Sequence, residues 1–189
     1  MGSVRQRMVE GALRLLARRG LQATSFAEVL ELTDSPRGSV YHHFPGGKDE
    51  MVAAAIALAD EHATALLEKN AGEPATKITA DFLRMWRTVL TRSRNRAGCA
   101  VVAVTVATDS DELITQAGTI FRTWRDRMAV LLEQGGLTTT DAKSFAATLI
   151  AASEGAVVLC RAERSIEPFD LMADQMTTLA TTLTTQNQP

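Results

Sequence analysis

The chain has 189 residues, of which 46% are apolar and 22% charged, and it carries a formal net charge of −2 at pH 7. A chain of this length and composition can bury a hydrophobic core without disulfide or metal support, which excludes an intrinsically disordered protein and a small disulfide scaffold. The slightly acidic balance gives no overall attraction to polyanions, so any nucleic-acid binding must come from a local basic patch.

The first quarter of the chain carries the start and stop signals of three helices. An apolar stripe predicts a helix over residues 3–19, which Gly20 ends as a C-terminal cap. A second helix begins near residue 25, where Ser25 and Glu28 have capping-box spacing. The third is predicted over 35–44, with proline in its first turn. A turn of about three residues joins the last two helices, which is a helix-turn-helix layout.

Longer helices follow. Periodicity and caps predict them over about 48–69, 74–95, 99–107, 109–134, 138–164 and 168–184. The run "VVAVTVA" at 101–107 also suits a strand, but a lone strand has no partner, so a short buried helix is favoured. Asp109 is the expected N-cap of the next helix. We expect an all-α protein of about nine helices, with a helix-turn-helix head at residues 1–47 and a body at 48–189.

Two cysteines, Cys99 and Cys160, lie in apolar runs without CxxC spacing. This favours buried free thiols in a reducing compartment, although a disulfide stays open. We read no apolar run as long enough for a membrane span, and no uninterrupted apolar segment follows the early N-terminal charges. We therefore expect a cytoplasmic protein without a membrane partner.

The stretch "SPRGSVYHHF" contains the only tyrosine of the chain and two of its three histidines. A recognition helix reads bases from its N-terminal turn. Arg37 suits the O6/N7 edge of guanine, and Gly38 and Ser39 are small enough for close approach to the duplex. Tyr41 and His42 follow one turn later, where their donors would meet phosphate oxygens.

Three further residues extend this candidate DNA surface. Thr24 and Ser25 supply hydroxyls and backbone amides at the start of the second helix, and Lys48 begins the fourth. Residues 1–48 contain seven basic and four acidic side chains, a net of +3, so the remainder carries −5. This split suits a DNA-contacting head on an acidic body, but helix-turn-helix geometry also occurs in plain helical bundles.

The segment "TSFAEVLELTDSPRGSVYHHFPGGKDEM" resembles the DNA-binding signature of the TetR/AcrR family of transcriptional regulators. Its two glycines before the lysine are most similar to the LmrA/YxaF branch, and the specific likeness covers about residues 5–52. The resemblance implies a homodimeric repressor whose helical body binds a small molecule and then releases an operator in double-stranded DNA. It also implies that Arg37, Ser39 and His42 face bases.

By the same resemblance, phosphates would be met by Thr24, Tyr41, His43 and Lys48. The sequence departs from the family pattern at two places. Asp34 stands where the family often has glycine, so an aspartate must adopt that turn conformation. Leu32-Thr33 replaces the usual pair of alanines, which changes the packing of the first helices slightly.

The last two long helices are the expected dimer interface, because apolar stripes and small residues favour close helix packing. The alternative is that these stripes only build the core of one chain. The predicted interface residues are Phe145, Leu149, Ala152, Ala156, Leu159, Phe169, Met172, Met176 and Leu179.

Large polarizable side chains on the middle helices predict an apolar effector pocket, although such stripes more often form plain core. The predicted lining residues are His62, Phe82, Trp86, Val89, Cys99, Phe121, Trp124 and Met128. Few charges lie among them, so an uncharged hydrophobic or aromatic effector is expected.

Enzyme motifs were sought and not found. "PGGKD" lacks the first glycine and the Ser/Thr of a P-loop, and adjacent His42 and His43 cannot form an i, i+4 zinc pair. We expect no cofactor, no metal and no catalytic residue. The competing hypothesis is a small-molecule-binding helical protein or enzyme with an unused head. An activator that binds DNA only with its ligand also stays open.

Overall fold

The computed structural model describes residues 3–36, 38 and 40–186. These residues form nine α-helices and no strand, which confirms the all-α prediction. The helices are α1 Val4–Arg19, α2 Phe26–Thr33, α3 Val40–His43, α4 Gly47–Glu68, α5 Ala75–Ser93, α6 Ala100–Thr105, α7 Asp111–Gln134, α8 Thr139–Glu163 and α9 Glu167–Gln186.

Hydroxyl side chains begin the helices where the sequence predicts them. Ser25 Oγ accepts the Glu28 N–H at 3.2 Å, and Thr138 Oγ1 accepts the Asp141 N–H at 3.1 Å. Each cap satisfies one backbone donor that the helix leaves unpaired. The Glu28 carboxylate, which would bond to the Ser25 N–H in a full capping box, pairs instead with the Arg19 guanidinium of α1. This ion pair connects α2 to α1.

Two predicted helix starts differ from the structure. In α7 the cap is Ser110, whose Oγ accepts the Leu113 N–H at 3.4 Å and whose carbonyl accepts the Ile114 N–H at 3.0 Å. Asp109 and Ser110 are both good caps, and the sequence does not rank them. The described α3 begins at Val40, later than the predicted start at residue 35. The segment 101–107 is mostly helical, as α6, in agreement with the prediction.

Packing divides the described residues into two units. The first contains the residues up to His62 together with Cys99–Ile120, and the second contains Ala63–Gly98 and the residues from Phe121 onward. Helices α4 and α7 each begin in the first unit and end in the second. The functional boundary between residues 47 and 48 stays a prediction, because packing groups residues without regard to function.

The first unit is built on α1. Met8, Ala12 and Leu16 are fully buried or nearly so, and α1 packs against α2 and α6. Gly11 lies against Thr33, and a Cβ at Gly11 would be 2.5 Å from Thr33 Cγ2. Thr33, where the family usually has alanine, therefore fits because Gly11 on the facing turn of α1 has no side chain.

The second unit is built on α5, α8 and α9, which pack against one another. The Arg87 guanidinium of α5 donates two hydrogen bonds to the Asp170 carboxylate of α9, at 2.8 and 3.2 Å. Arg84 pairs with Asp81 at 2.6 Å. These exposed ion pairs show that part of the arginine-rich segment 84–96 is a solvated helix face.

A close backbone contact joins the end of α7 to the start of α5. The Ala75 N–H donates to the Gly135 carbonyl at 2.9 Å. A Cβ at Gly135 would lie 2.6 Å from the Ala75 nitrogen and 2.8 Å from the Glu73 carbonyl oxygen. Only glycine fits at this position without a backbone shift.

Neither Cys99 nor Cys160 forms a disulfide, as the sequence favours. Cys99 is half-buried, whereas Cys160 lies in the core of α8. Burial raises the pKa of the Cys160 thiol because the thiolate would lose its hydration.

Among the described residues, α8 is long and apolar enough to cross a membrane by length and composition alone. This corrects our reading that no run reaches that length: alanine and branched aliphatic residues keep the helix apolar although polar residues interrupt the run. In its most apolar window 44% of the residues are buried inside the protein. A core helix of a folded domain meets the same criteria.

The second half of α9 is rich in threonine and carries no ionisable side chain from Gln175 to Gln186. Six threonine hydroxyls each donate to the carbonyl four residues earlier, at 2.5 to 3.0 Å. Their protons are therefore satisfied within the helix, and their methyl groups remain as surface.

Candidate nucleic-acid interface and ligand cavity

Helix α3 has one buried and one exposed side. Val40 and Phe44, four positions apart, are 2% and 0% exposed, so both side chains hold the segment against the head. Tyr41 is 75% exposed. Its phenol therefore points toward a partner or solvent, while Val40 and Phe44 anchor the backbone.

Phe26 fixes this segment from the first turn of α2. Its ring meets the Tyr41 ring edge-on, with centroids 6.1 Å apart, and stacks on Phe44 at 6.4 Å. The Arg5 guanidinium of α1 lies over the Phe44 ring, 5.2 Å from its centroid. Our sequence reasoning missed Phe26, although an aromatic residue directly after a cap is a visible signal.

The other predicted DNA contacts are placed as follows. Gly38 and His42 are exposed and His43 is half-buried, with the two imidazole rings 5.1 Å apart. Arg37 and Ser39 lie outside the described residues. The exposed members thus lie on the same short segment as Tyr41.

Thr24 is placed differently from the prediction. The residue is 0% exposed, its hydroxyl donates to the Gly20 carbonyl at 2.8 Å, and its N–H donates to the Leu21 carbonyl at 3.1 Å. No atom of Thr24 is open to a phosphate, because the residue closes the α1–α2 turn. Ser25 is half-buried and holds the cap of α2.

Lys48 links the first turn of α4 to the turn before α2. Its ammonium donates to the Leu21 carbonyl at 2.9 Å, and the residue is half-buried. An ammonium group has three donors, so this bond places a positive charge beside the start of α2 and leaves further donor capacity. The Gly46 N–H donates to Glu50 Oε2 at 2.8 Å and caps α4.

Asp34 forms the turn of the helix-turn-helix. Its φ of 47° and ψ of 48° are left-handed, and its N–H donates to the Leu30 carbonyl. This agrees with the expectation that aspartate accepts the conformation usually given to glycine here.

A cavity of about 60 Å³ lies within the second unit. Four helices line it, with residues one turn apart on α4, α5, α7 and α8. The lining residues are Ala63, Leu66, Leu67, Phe82, Met85, Trp86, Trp124, Met128, Ile150 and Glu154.

Of the eight residues predicted for an effector pocket, four line this cavity. Phe82, Trp86, Trp124 and Met128 line it. The other four predicted residues, His62, Val89, Cys99 and Phe121, do not. His62 and Cys99 belong to the first packing unit, and the cavity spans too few turns of α5 to reach Val89.

Phe121 does not line the cavity, but its ring meets the ring of the lining residue Trp124 edge-on, with centroids 5.5 Å apart. Sequence reasoning missed the contributions of α4 and α8, among them Glu154. Small or aliphatic residues carry no local signal of a cavity, and a lone glutamate on a long helix resembles any solvated residue.

Four residues of the predicted dimer interface belong to the core of one chain instead. Phe145, Leu149, Ala156 and Phe169 are at most 4% exposed, because α8 and α9 pack these side chains within the second unit. They cannot cover a partner. Ala152, Met172 and Met176 are half-buried, and Leu159 and Leu179 are exposed.

The two helices carry exposed, uncharged positions at the same helical spacing. On α8 they are Ala151, Gly155, Val158, Leu159 and Ala162; on α9 they are Leu171, Gln175, Thr178, Leu179 and Thr182. We call these ten residues the uncharged face. Its larger side chains are well exposed, with Val158 at 54% and Leu171 at 63%, which is unusual for apolar groups on an isolated protein surface.

Comparisons with known proteins agree with this geometry. The family described as "Transcriptional regulator LmrA/YxaF-like, C-terminal domain" matches residues 74–175, and the family described as "Bacterial regulatory proteins, tetR family" matches residues 8–55. The second match includes α2 and α3, the described part of the helix-turn-helix.

Relatives cover nearly the whole chain. An uncharacterised HTH-type transcriptional regulator of Mycobacterium tuberculosis is 32% identical over 186 residues, which is 95% of each chain. The uncharacterised HTH-type transcriptional regulator YxaF of Bacillus subtilis is 25% identical over 182 residues, 94% of this chain and 95% of its own.

Among solved structures, the regulatory protein TetR from Rhodobacter sphaeroides has the same fold. It aligns with a TM-score of 0.82 at 23% identity, over 92% of this chain and 97% of its own. Family, relatives and fold thus confirm the resemblance drawn from the head. The chain belongs to the TetR family of bacterial transcriptional regulators, in its LmrA/YxaF-like branch, and is a DNA-binding regulator and not an enzyme.

Proposed function

We propose that the protein is a ligand-responsive repressor, which binds a palindromic operator as a homodimer and is released from it by a small-molecule effector. The observation that carries the proposal is the two-sided α3, with Val40 and Phe44 buried and Tyr41 exposed. A recognition helix needs this arrangement, because it must be held rigidly while its outer side enters the major groove. A repressor acting on chromosomal DNA works in the cytoplasm.

The DNA contacts follow the family resemblance and the chemistry of the side chains. Arg37, Ser39 and His42 would face bases, with Gly38 allowing close approach, and Tyr41 and His43 would donate to phosphates. Lys48 would add charge beside the backbone amides at the Ser25 end of α2. Thr24 is left out because it is buried.

The dimer would form through the uncharged face. A palindrome requires two heads spaced by about one turn of DNA, ~34–36 Å. Exposed leucines and valine at matching positions on two long helices suit a four-helix contact between two copies.

Coupling between the ligand and the head would run through α4. Ala63, Leu66 and Leu67 in its last turns line the cavity, and Lys48 in its first turn holds the Leu21 carbonyl. A ligand that favours one placement of α4 would then change the spacing of the two heads. Such a ligand shifts the equilibrium by no more than its preference for one state.

The test is binding to the DNA upstream of the protein's own gene, with excess random competitor and over a series of salt concentrations. Phosphate contacts alone would give affinity without specificity. Competitor-resistant binding to a short palindrome supports the proposal. Loss of all binding under competitor contradicts it.

Tyr41→Phe tests the assigned helix. The substitution keeps the ring contact with Phe26 and removes only the hydroxyl, so the head should stay folded. Losing one hydrogen bond to a phosphate costs about 1 to 2 kcal/mol, and we expect a fall in operator affinity of roughly 5- to 30-fold. Ser144→Ala, which removes an exposed hydroxyl from α8, is the control. Equal affinities for the two variants would show that the recognition surface is assigned wrongly.

A further inference from the structure

A guanidinium group lies at the end of the α3 segment. Arg5 is in the first turn of α1, and its Cζ atom lies over the Phe44 ring, 5.2 Å from the ring centroid. Phe44 directly follows α3 and is 0% exposed, whereas Arg5 is exposed. The contact therefore holds an exposed cation beside a buried anchor of the recognition segment.

The interactions within the head give little reason for a positive charge at this position. Among the described residues no carboxylate pairs with Arg5, and the only acidic residue of α1, Glu10, accepts a hydrogen bond from Gln6. A cation in the first turn of a helix also opposes the helix dipole. The contact with the Phe44 ring is favourable but weak, because such contacts lose most of their strength at exposed sites.

The guanidinium keeps its capacity to bind an anion while it lies over the ring. Arginine carries five N–H donors in a planar fork, whose geometry matches two oxygens of a phosphate group. The face of an aromatic ring attracts a cation but offers no oxygen acceptor, so these donors stay available. The ring also restricts a long side chain, which lowers the entropy that is lost when an anion binds.

Arg5 and Tyr41 contact one aromatic cluster from two different helices. Phe26 meets the Tyr41 ring with centroids 6.1 Å apart and stacks on Phe44 at 6.4 Å, and Arg5 lies over Phe44. The N-terminal turn of a recognition helix reads bases, so its other end lies beside the sugar–phosphate backbone. Phe44 marks that other end of α3. The cluster therefore places a charged donor where the backbone would pass.

We propose that Arg5 contacts a phosphate of the DNA backbone, and that the Phe44 ring positions its guanidinium for this contact. The contact rests on the proposed function, in which α3 is the recognition helix, and it adds α1 to the DNA interface. Neither the helix-turn-helix motif nor the family resemblance assigned a role to Arg5. Because a phosphate carries no sequence information, the contact is the same on every duplex.

The salt dependence of DNA binding separates a charged contact from a neutral one. Each phosphate that a cation neutralises adds about 0.9 to the slope of log K against log salt concentration. A labelled duplex of random sequence is the probe, so no operator has to be known. Fluorescence anisotropy measures its binding to the full-length protein over a series of low salt concentrations. The proteins compared are the wild type, Arg5→Gln, Arg5→Lys and Arg14→Gln.

Arg5→Gln should reduce the slope by about 0.9 for each head in contact with the duplex and lower the affinity at low salt roughly tenfold. Arg5→Lys keeps the charge and should restore most of the slope. Arg14→Gln is the matched control, since it removes the same charge from an exposed position about two and a half turns further along α1, on the opposite side of the helix. It should leave the slope unchanged.

Tyr41→Phe provides a second comparison on the same duplex. Its hydroxyl is neutral, so its loss should lower the affinity without changing the slope. Arg5 is exposed, and circular dichroism with thermal unfolding of each variant checks that the head stays folded.

Three results would overturn the proposal. They are a wild type that does not bind the random duplex at the lowest salt concentration, an Arg5→Gln variant with the slope of the wild type, and an equal loss of slope in Arg14→Gln. The repressor function fails by a different result, namely the absence of a palindrome that resists competitor, and an Arg5-dependent slope would then still stand. Conversely, a palindrome bound equally by the wild type and Arg5→Gln at every salt concentration would contradict the Arg5 contact and leave the repressor function standing.

Discussion

Asp34 ends α2 in a left-handed conformation, with φ at 47° and ψ at 48°. For most L-amino acids this conformation costs about 1 to 2 kcal/mol, since Cβ approaches the following carbonyl oxygen. Aspartate tolerates it better than most, and the N–H to Leu30 carbonyl hydrogen bond holds it in place. Glycine has no Cβ and would remove the strain.

Asp34→Gly should therefore raise the free energy of unfolding by about 0.5 kcal/mol, the relief of strain being partly offset by the larger entropy of glycine in the unfolded chain. Asp34→Ala should lower it by about 1 kcal/mol. Urea unfolding followed by circular dichroism measures both variants. A stabilising alanine, or a glycine without effect, would show that the turn is not strained.

At single positions, sequence reasoning works where the interaction is local. Caps such as Ser25 and Thr138 are predictable because a cap bonds only within its own first turn. The burial of Val40 beside the exposed Tyr41 also follows from local spacing. Thr24 could not be predicted, since its hydroxyl turns to a carbonyl of the preceding loop and not outward.

Contacts between helix ends, as well as between helix faces, hold the second unit together. The clearest case is the end of α7, where the Gly135 carbonyl receives the first N–H of α5. The two backbones are so close that a Cβ would reach the Ala75 nitrogen at 2.6 Å. A backbone cannot move aside as a side chain can, so this contact is a sensitive point of the second unit.

Gly135→Ala should lower the free energy of unfolding by about 2 kcal/mol, because a methyl group forces two backbone segments apart. The matched control is Gly46→Ala, whose nearest atoms belong to the flexible Glu50 side chain at 3.2 Å. The control should change stability by less than about 0.5 kcal/mol. Chemical unfolding of both variants measures the difference, and comparable losses would argue against the backbone contact.

Element boundaries could be predicted to within a few residues, and the exceptions have physical reasons. Ser110 replaces Asp109 as the cap of α7 because adjacent good caps compete and the packing of the next turn decides. The segment 101–107 is β-branched, yet it forms α6 because no strand lies beside it among the described residues. Helix propensity is easily overridden by such context.

For the whole molecule, the uncharged face is the feature that matters most. Leu159 is 51% exposed and Leu171 63% exposed, so two large apolar side chains of this face are open to solvent in the single chain. If two copies meet through this face, a charge placed in it must lose its hydration without gaining a partner.

Leu159→Glu should convert the dimer to a monomer at micromolar concentration, with an increase in the dissociation constant of about 100-fold or more. Val130→Glu is the control, since Val130 is equally exposed at 50% but lies on α7. Sedimentation equilibrium measures both. A dimeric Leu159→Glu protein would place the interface elsewhere.

The predicted interface and cavity show what the sequence leaves undetermined at this scale. Periodicity shows that Phe145 and Leu149 share a face, but not whether that face covers the same chain or a second copy. The cavity depends on which turns of four helices meet. Its aromatic half was predictable from side-chain size, whereas Ala63 and Glu154 become part of it only through tertiary packing.

The threonine-rich end of α9 makes dimer formation and DNA binding respond differently to salt. From Gln175 to Gln186 the helix holds no charge, and its hydroxyl protons are already bound to its own carbonyls. Contact between the uncharged ends of α9 in two copies of the chain would release few counterions and break few hydrogen bonds to water. Each contact between the head and a DNA phosphate, by contrast, would displace a cation from the DNA. Rising ionic strength would therefore detach an intact pair of subunits from the operator long before it parts the pair.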